Sequence, residues 1–153
     1  MNRARTLFPS LLAFSLAGTL AGAASAQCTE CWHAMPGVTG PAQSVRALTW
    51  WDPDGEGPTP KVLVAAGEFT AAGGVPASNI AAWDGTTWSP LGLGTDGPVS
   101  ALAVLHTGEL VAAGTFTTAG GQPRPNIAMW DGSSWLGLGD GLNNSTYALT
   151  VTH

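Results

Sequence analysis

The sequence repeats Ala65-Ala66-Gly67-Glu68-Phe69-Thr70-Ala71-Ala72-Gly73-Gly74 as Ala112-Ala113-Gly114-Thr115-Phe116-Thr117-Thr118-Ala119-Gly120-Gly121, and Gly114 follows Gly67 by 47 positions. A second motif keeps that spacing, because Asn79-Ile80-Ala81-Ala82-Trp83-Asp84-Gly85 returns as Asn126-Ile127-Ala128-Met129-Trp130-Asp131-Gly132. Trp88 and Trp135 continue the match. A fixed period of this length is the signature of an array of supersecondary units.

Each copy of the repeat predicts four short strands. In the second copy, two β-compatible runs, Val99 to Leu105 and Glu109 to Phe116, flank a short connection that contains Gly108, which is typical of a hairpin. Asn126 to Trp130 is the third run, and Trp135 opens the fourth. The Asp-Gly pair between them tolerates the positive φ angles of tight turns.

Four strands in 47 residues predict an all-β fold of β-propeller-like four-stranded blades. A β-solenoid has much shorter coils, and helical repeats would not carry so many Gly-rich turns. The recurring residues are expected to serve the blade itself. They are Gly67, Phe69, Asn79, Trp83, Asp84, Gly85, Trp88, Gly114, Phe116, Asn126, Trp130, Asp131, Gly132 and Trp135.

The repeat also sets the expected organisation of the chain. A partial blade in residues 27–44 precedes a first repeat at 45–98, which has a long loop at 51–60. A second repeat spans 99–145, and 146–153 is the start of a truncated third, with an opening strand at Tyr147 to His153. A propeller usually has about four to eight blades, so an incomplete ring is expected. Either the chain is a fragment of a longer gene product, or it self-associates to complete a ring.

Residues 1–26 have the features of a signal peptide. Arg3 and Arg5 precede an apolar run, which ends at the small-residue cleavage site Ala24-Ser25-Ala26. Because the run ends at a cleavage site and is shorter than a spanning helix, no stable membrane span is expected after cleavage. We therefore expect a secreted, periplasmic or cell-surface protein.

The charge balance argues against nucleic acid as a partner. Beyond the signal peptide, only Arg46, Lys61 and Arg124 are basic, whereas the sequence has 10 acidic residues. The three cations are scattered along the chain, so they define no phosphate-binding track. The net negative charge is interpreted as an aid to solubility.

The motif string G-x-F-T-x-A-G-G, N-I-A-x-W-D-G, L-G-x-G and V-x-A-L resembles the kelch-like repeat of large secreted bacterial proteins and of the fungal cortical polarity-marker family. The resemblance covers about Trp32 to Val151. It implies a propeller scaffold, commonly a binding or surface-display element, and offers no shared catalytic residues to carry over.

Candidate chemistry is sparse, and no catalytic, cofactor-binding or metal site is predicted. In an exported chain, Cys28 and Cys31 are expected to form a disulfide, either with each other or with distant segments. A zinc site would need more ligands than His33 supplies. The loop from Asp52 to Glu56 has alternating carboxylates, as calcium loops do, but its prolines and incomplete spacing favour a solvated insertion.

Trp50 and Trp51 fall outside the repeat beside the long loop, and if exposed they would stack on a sugar ring. The sequence thus predicts an exported, non-enzymatic repeat scaffold that contacts protein or glycan. One alternative is a carbohydrate-binding module that uses these two tryptophans. Another is a fragment of a kelch-type secreted oxidase, although the Tyr, Cys and His of a copper site are poorly represented, with Tyr147 as the one tyrosine.

Overall fold

The computed structural model describes residues 37–39, 44–55 and 57–152. The expected signal peptide of residues 1–26, Cys28 and Cys31, and most of the partial blade at 27–44 lie outside the described residues. The described strands all belong to one unit that runs from Met35 to His153. These residues form an all-β structure without a helix, as the sequence predicts.

The described residues contain thirteen strands, which we number in chain order. They are β1 (Val38–Thr39), β2 (Ser44–Trp51), β3 (Val62–Glu68), β4 (Ala71–Ala72), β5 (Val75–Pro76), β6 (Ile80–Trp83), β7 (Trp88–Pro90), β8 (Val99–Val104), β9 (Leu110–Gly114), β10 (Thr118–Ala119), β11 (Gln122–Pro123), β12 (Ile127–Trp130) and β13 (Trp135–Gly137).

Two four-stranded antiparallel sheets correspond to the two copies of the repeat. The first blade has the strand order β2-β3-β6-β7, and the second has the order β8-β9-β12-β13. The predicted four strands per repeat are therefore confirmed. Between its second and third strands, each blade also sends out a two-strand hairpin, β4-β5 or β10-β11, which the sequence analysis did not predict. Strand β1 pairs with β4 and extends the first of these hairpins.

The blades share an irregularity at the same place. The register shifts between Val45 and Ala47 in the first blade and between Val99 and Ala101 in the second, which marks a β-bulge in each opening strand. Gly67 and Gly114 lie opposite these bulges. A Cβ at Gly114 would overlap the carbonyl oxygen of Pro98, so the close approach of the two backbones requires glycine there.

The strand register corrects the position assigned to Trp50 and Trp51. Trp50 pairs with Leu63 just as Val104 pairs with Leu110, so both tryptophans belong to the opening strand of the first blade and do not lie outside the repeat. The correspondence is hidden in the sequence because the long loop shifts the opening strands to a spacing of 54, measured from Ala47 to Ala101.

The main core lies between the blades. One face of the first blade, which includes Val64, Ala66 and Ile80, packs with Leu110 and Trp130 of the second blade in a single buried cluster. Residues 147–152, which belong to the opening strand that the sequence predicts from Tyr147 to His153, form no strand. An opening strand forms its ladder hydrogen bonds with the second strand of its own blade. In the described part of the chain, no such strand lies beside residues 147–151.

Candidate functional site

An apolar surface lies on the side of the first blade that faces away from the second. Trp50 is 64% exposed and Leu48 is 59% exposed, and residues two apart on a strand point to the same face. Trp50 pairs with Leu63, and Leu63 pairs with Trp83, so these side chains form a cross-strand row. We call this surface the open face. It comprises Leu48, Trp50, Leu63 and Trp83.

The same positions are covered in the second blade. Their equivalents are Leu102, Val104, Leu110 and Trp130. Leu110 and Trp130 are buried, and Leu102 and Val104 pack against the same cluster, which is formed with the first blade. The same face of the repeat is therefore packed in the second blade, whereas in the first blade Leu48 and Trp50 expose it to solvent.

The open face has polar borders. Trp50, Leu63 and Trp83 line a shallow hollow of about 360 Å³ together with Lys61 and Asp84. An exposed indole beside a cation and a carboxylate can pack against an apolar surface, while the polar groups form hydrogen bonds at its edge.

Trp51 differs from its neighbour. Its side chain is 6% exposed and belongs to the core between the blades. Its Nε1 donates a hydrogen bond to the carbonyl oxygen of Gly108, 2.8 Å away, in the hairpin turn of the second blade. Of the two tryptophans, only Trp50 therefore meets the condition of exposure on which stacking on a sugar ring depends.

The recurring aspartates cap their own turns. Asp84 Oδ1 accepts hydrogen bonds from the backbone N–H groups of Thr86 and Thr87, both at 2.7 Å. Asp131 Oδ1 accepts the same pair of bonds from Ser133 and Ser134. The N–H of Thr87, followed by the hydroxyl and N–H of Thr86, holds the pKa of Asp84 well below its usual value. Such a carboxylate stays ionised and is poorly suited to act as a general acid.

Hydrogen bonds within the turn act on Asp131 in the same way. The backbone N–H groups of Ser133 and Ser134 lower the pKa of this carboxyl group. It also borders a hollow of about 210 Å³ between the long loop of the first blade and the hairpin turn of the second, which Asp52, Asp54 and Glu109 share. In the described part of the chain, no three His, Cys, Asp or Glu side chains are grouped to hold a metal ion.

Asp96 is a structural residue that the sequence analysis missed. It lies between the blades, and its Oδ1 accepts hydrogen bonds from the N–H groups of Thr117 and Thr118 at 2.8 and 2.9 Å. Partial desolvation acts to raise the pKa of Asp96, but these bonds and one from the Thr117 hydroxyl outweigh it and lower the pKa. Because Asp96 does not recur, the repeat gave no signal for it.

The two asparagines of the repeat join blade segments. Asn79 and Asn126 have positive φ angles of 66° and 63°, which asparagine tolerates better than most residues. Asn79 Nδ2 donates to the carbonyl oxygen of Thr95 at 2.9 Å, and Asn126 Nδ2 donates to that of Leu142 at 2.7 Å. Each amide thereby fixes the segment that follows the fourth strand of its blade.

Within the described residues, no helix has the length and apolar character that a membrane crossing requires. A family model described as a β-propeller domain of unknown function, DUF5122, matches residues 107–128, from the hairpin turn of the second blade into β12. No curated protein and no solved structure matches the chain. The four-stranded blades and the matched segment together identify a propeller-type repeat protein.

Proposed function

We propose that this chain is an exported, non-enzymatic scaffold that uses the open face to contact another macromolecule. The observation that carries the proposal is the exposure of Trp50 and Leu48 at positions whose equivalents are packed in the second blade. Large exposed apolar side chains grouped on one face are typical of interaction sites.

Three further features support the proposal. The recurring carboxylates accept hydrogen bonds from the backbone of their own turns, so their role is to stabilise those turns. Export is supported by residues 1–26, in which two arginines precede an apolar run and a small-residue cleavage site. The kelch-like motif string is also consistent with a scaffold, because that repeat type is commonly used for binding or display.

Hydroxyl-radical footprinting tests this function by comparing the exposure of the open face in the extracellular fraction and in the purified protein. The chain is oxidised in the extracellular fraction of its host and, separately, as a dilute purified protein, and each side chain is followed by mass spectrometry. If the open face is a contact surface, Trp50 and Leu48 are oxidised several-fold less in the extracellular fraction. Trp50 and Leu48 that are unprotected in both settings contradict the proposal.

Leu93 provides the matched control for footprinting. It is 73% exposed but lies in the turn after β7, outside the open face. Its oxidation is expected to be the same in both settings. Protection of Leu93 as strong as that of Trp50 would show general shielding of the chain instead of contact at one face.

A glycan is a second candidate partner, because an exposed indole beside Lys61 and Asp84 offers both a stacking surface and hydrogen-bonding groups. A glycan array with the purified chain tests it. Binding that is lost in Trp50→Ala and kept in Leu93→Ala supports this candidate. An array on which the wild-type chain binds nothing removes it.

A further inference from the structure

We propose that the open face docks onto the second blade of another copy of this chain, in a head-to-tail arrangement. The proposal rests on the function proposed above, because it names the partner of the same surface. The chain already contains the template for this contact, since its two blades pack through equivalent faces.

The template is the interface between the blades. The second blade contributes Leu110, Trp130 and Trp135 to the shared core, and the first blade contributes Val64 and Ala66 from its opposite face. Leu110 and Trp130 are the equivalents of Leu63 and Trp83 in the open face. The repeat therefore specifies that this kind of face packs on the opposite face of a neighbouring blade.

An apolar row of the required type lies on the far side of the second blade, where Val111 is buried and its neighbours Ala103 and Met129 are half-buried. Val111 pairs with Ala103 on one side and with Met129 on the other, and Met129 pairs with Leu136, so the four side chains form one cross-strand row. We call this row the end face. It comprises Ala103, Val111, Met129 and Leu136.

The end face is the counterpart of the first-blade surface that lies in the core. Val111 corresponds to Val64, which is fully buried between the blades, and Met129 corresponds to Ala82, which packs against the same cluster. Leu136 is 38% exposed, and it takes the place of Ser89. The second blade is thus more apolar at these two positions than the equivalent surface of the first blade, although this side of the second blade faces away from the first.

The geometry fixes the symmetry of the assembly. The open face and the end face are different surfaces of one chain, so contact between them is heterologous. Successive copies form a ring if the rotation between them closes, and a filament if it does not. In either case one chain uses both faces, and damage to one face leaves the other able to bind.

This property gives a specific test with two variants. Trp50→Asp places a charge in the open face, and Met129→Asp places one in the end face. Sedimentation velocity on the full chain, as its host produces it, is measured over about a hundredfold range of concentration. We expect the wild-type chain to form a discrete assembly or a filament, and each variant alone to fall at least about twofold in mass, to the monomer.

Mixing the variants is the decisive step. Trp50→Asp retains its end face and Met129→Asp retains its open face, so an equimolar mixture should form a one-to-one dimer and nothing larger. A wild-type chain that is monomeric at every concentration overturns the proposal, as does a mixture that stays monomeric although both variants are folded. Assembly of the single variants at wild-type size also overturns it.

Two controls keep the result interpretable. Leu93→Asp changes an exposed apolar residue outside both faces and should assemble as the wild type does. Far-UV circular dichroism shows whether each variant is folded, and Trp50→Ser replaces Trp50→Asp if the charged variant is not. Protection of Trp50 in the extracellular fraction combined with a purely monomeric purified chain refutes self-docking alone, whereas unprotected Trp50 in both settings refutes the proposed function as well.

Discussion

The indole Nε1 of Trp135 donates a hydrogen bond to the carbonyl oxygen of Leu91, at a distance of 2.8 Å. Trp135 belongs to the fourth strand of the second blade, and Leu91 immediately follows the fourth strand of the first. Trp51 makes the reverse connection, from the first blade to Gly108 of the second, also at 2.8 Å. Side chains of both blades therefore fix the backbone of their neighbour, in addition to the apolar packing between them.

Replacing Trp135 by Phe should therefore weaken the contact between blades. The change removes the N–H donor, leaves the buried Leu91 carbonyl oxygen with only the bond from the Gly94 N–H, and removes part of a packed ring. We expect the free energy of unfolding to fall by about 2–4 kcal/mol, measured by urea denaturation. Trp50→Phe is the control, because that ring is exposed and its substitution should cost less than about 0.5 kcal/mol. Equal losses in the two variants would contradict this role for Trp135.

Substitutions at Asn79 should separate its backbone conformation from its side-chain bonds. Asn79→Ala loses the bond to Thr95 and one accepted from the Phe69 N–H, and it places alanine at a positive φ angle. We expect a loss of about 2–4 kcal/mol in the free energy of unfolding. Asn79→Gly relieves the backbone cost and should lose about 1–2 kcal/mol.

Urea denaturation of both Asn79 variants decides between these contributions. If alanine and glycine cost the same, the left-handed conformation contributes little and the amide bonds account for the whole effect. If neither variant is destabilised, the connection from Asn79 to the segment after the fourth strand does not stabilise the blade.

The strands were predictable because each depends on local sequence that occurs twice. The apolar run from Leu110 to Gly114 forms the predicted strand β9, and all five residues are buried, with Leu110 and Ala112 packed against the first blade. The turns followed from the Asp-Gly pairs for the same reason, since a tight turn is determined by few neighbouring residues.

Features that depend on register or on distant contacts were not predictable. The sequence alone assigns Trp50 and Trp51 to a position outside the repeat, because an insertion in the long loop breaks the period; the strand pairing with Leu63 and Val62 shows that they belong to it. Asp96 bonds to Thr117, 21 residues away, and no repeat or motif marks that pair. One of the two adjacent tryptophans is exposed and the other buried, because neighbouring side chains on a strand point to opposite faces and the second blade covers only one of them.

Gly114 should tolerate no side chain. A Cβ there would overlap the carbonyl oxygen of Pro98 and crowd the Cα of Val99, which are backbone atoms where the bulged opening strand begins. We expect Gly114→Ala to lower the free energy of unfolding by at least about 3 kcal/mol, because the strand must separate from its partner to make room.

The control for Gly114 is Gly137→Ala. A Cβ at Gly137 meets atoms of the Arg124 side chain at 3.2 Å, and a flexible side chain can move away. Its cost in urea denaturation should therefore stay below about 1 kcal/mol. A Gly114→Ala variant as stable as Gly137→Ala would show that the bulge relaxes without penalty.

Asp96 should make the stability of the chain depend on acid pH. Its pKa is lowered in the folded state, so its carboxylate stabilises the fold above the unfolded pKa, and that contribution is lost as pH falls through the folded value. In thermal melts between about pH 5 and pH 2, we expect Asp96→Asn to lose less stability than the wild type. Asp140→Asn removes the same charge from an exposed turn and should follow the wild-type curve. If both variants match the wild type, the bonds from Thr117 and Thr118 do not couple Asp96 to folding.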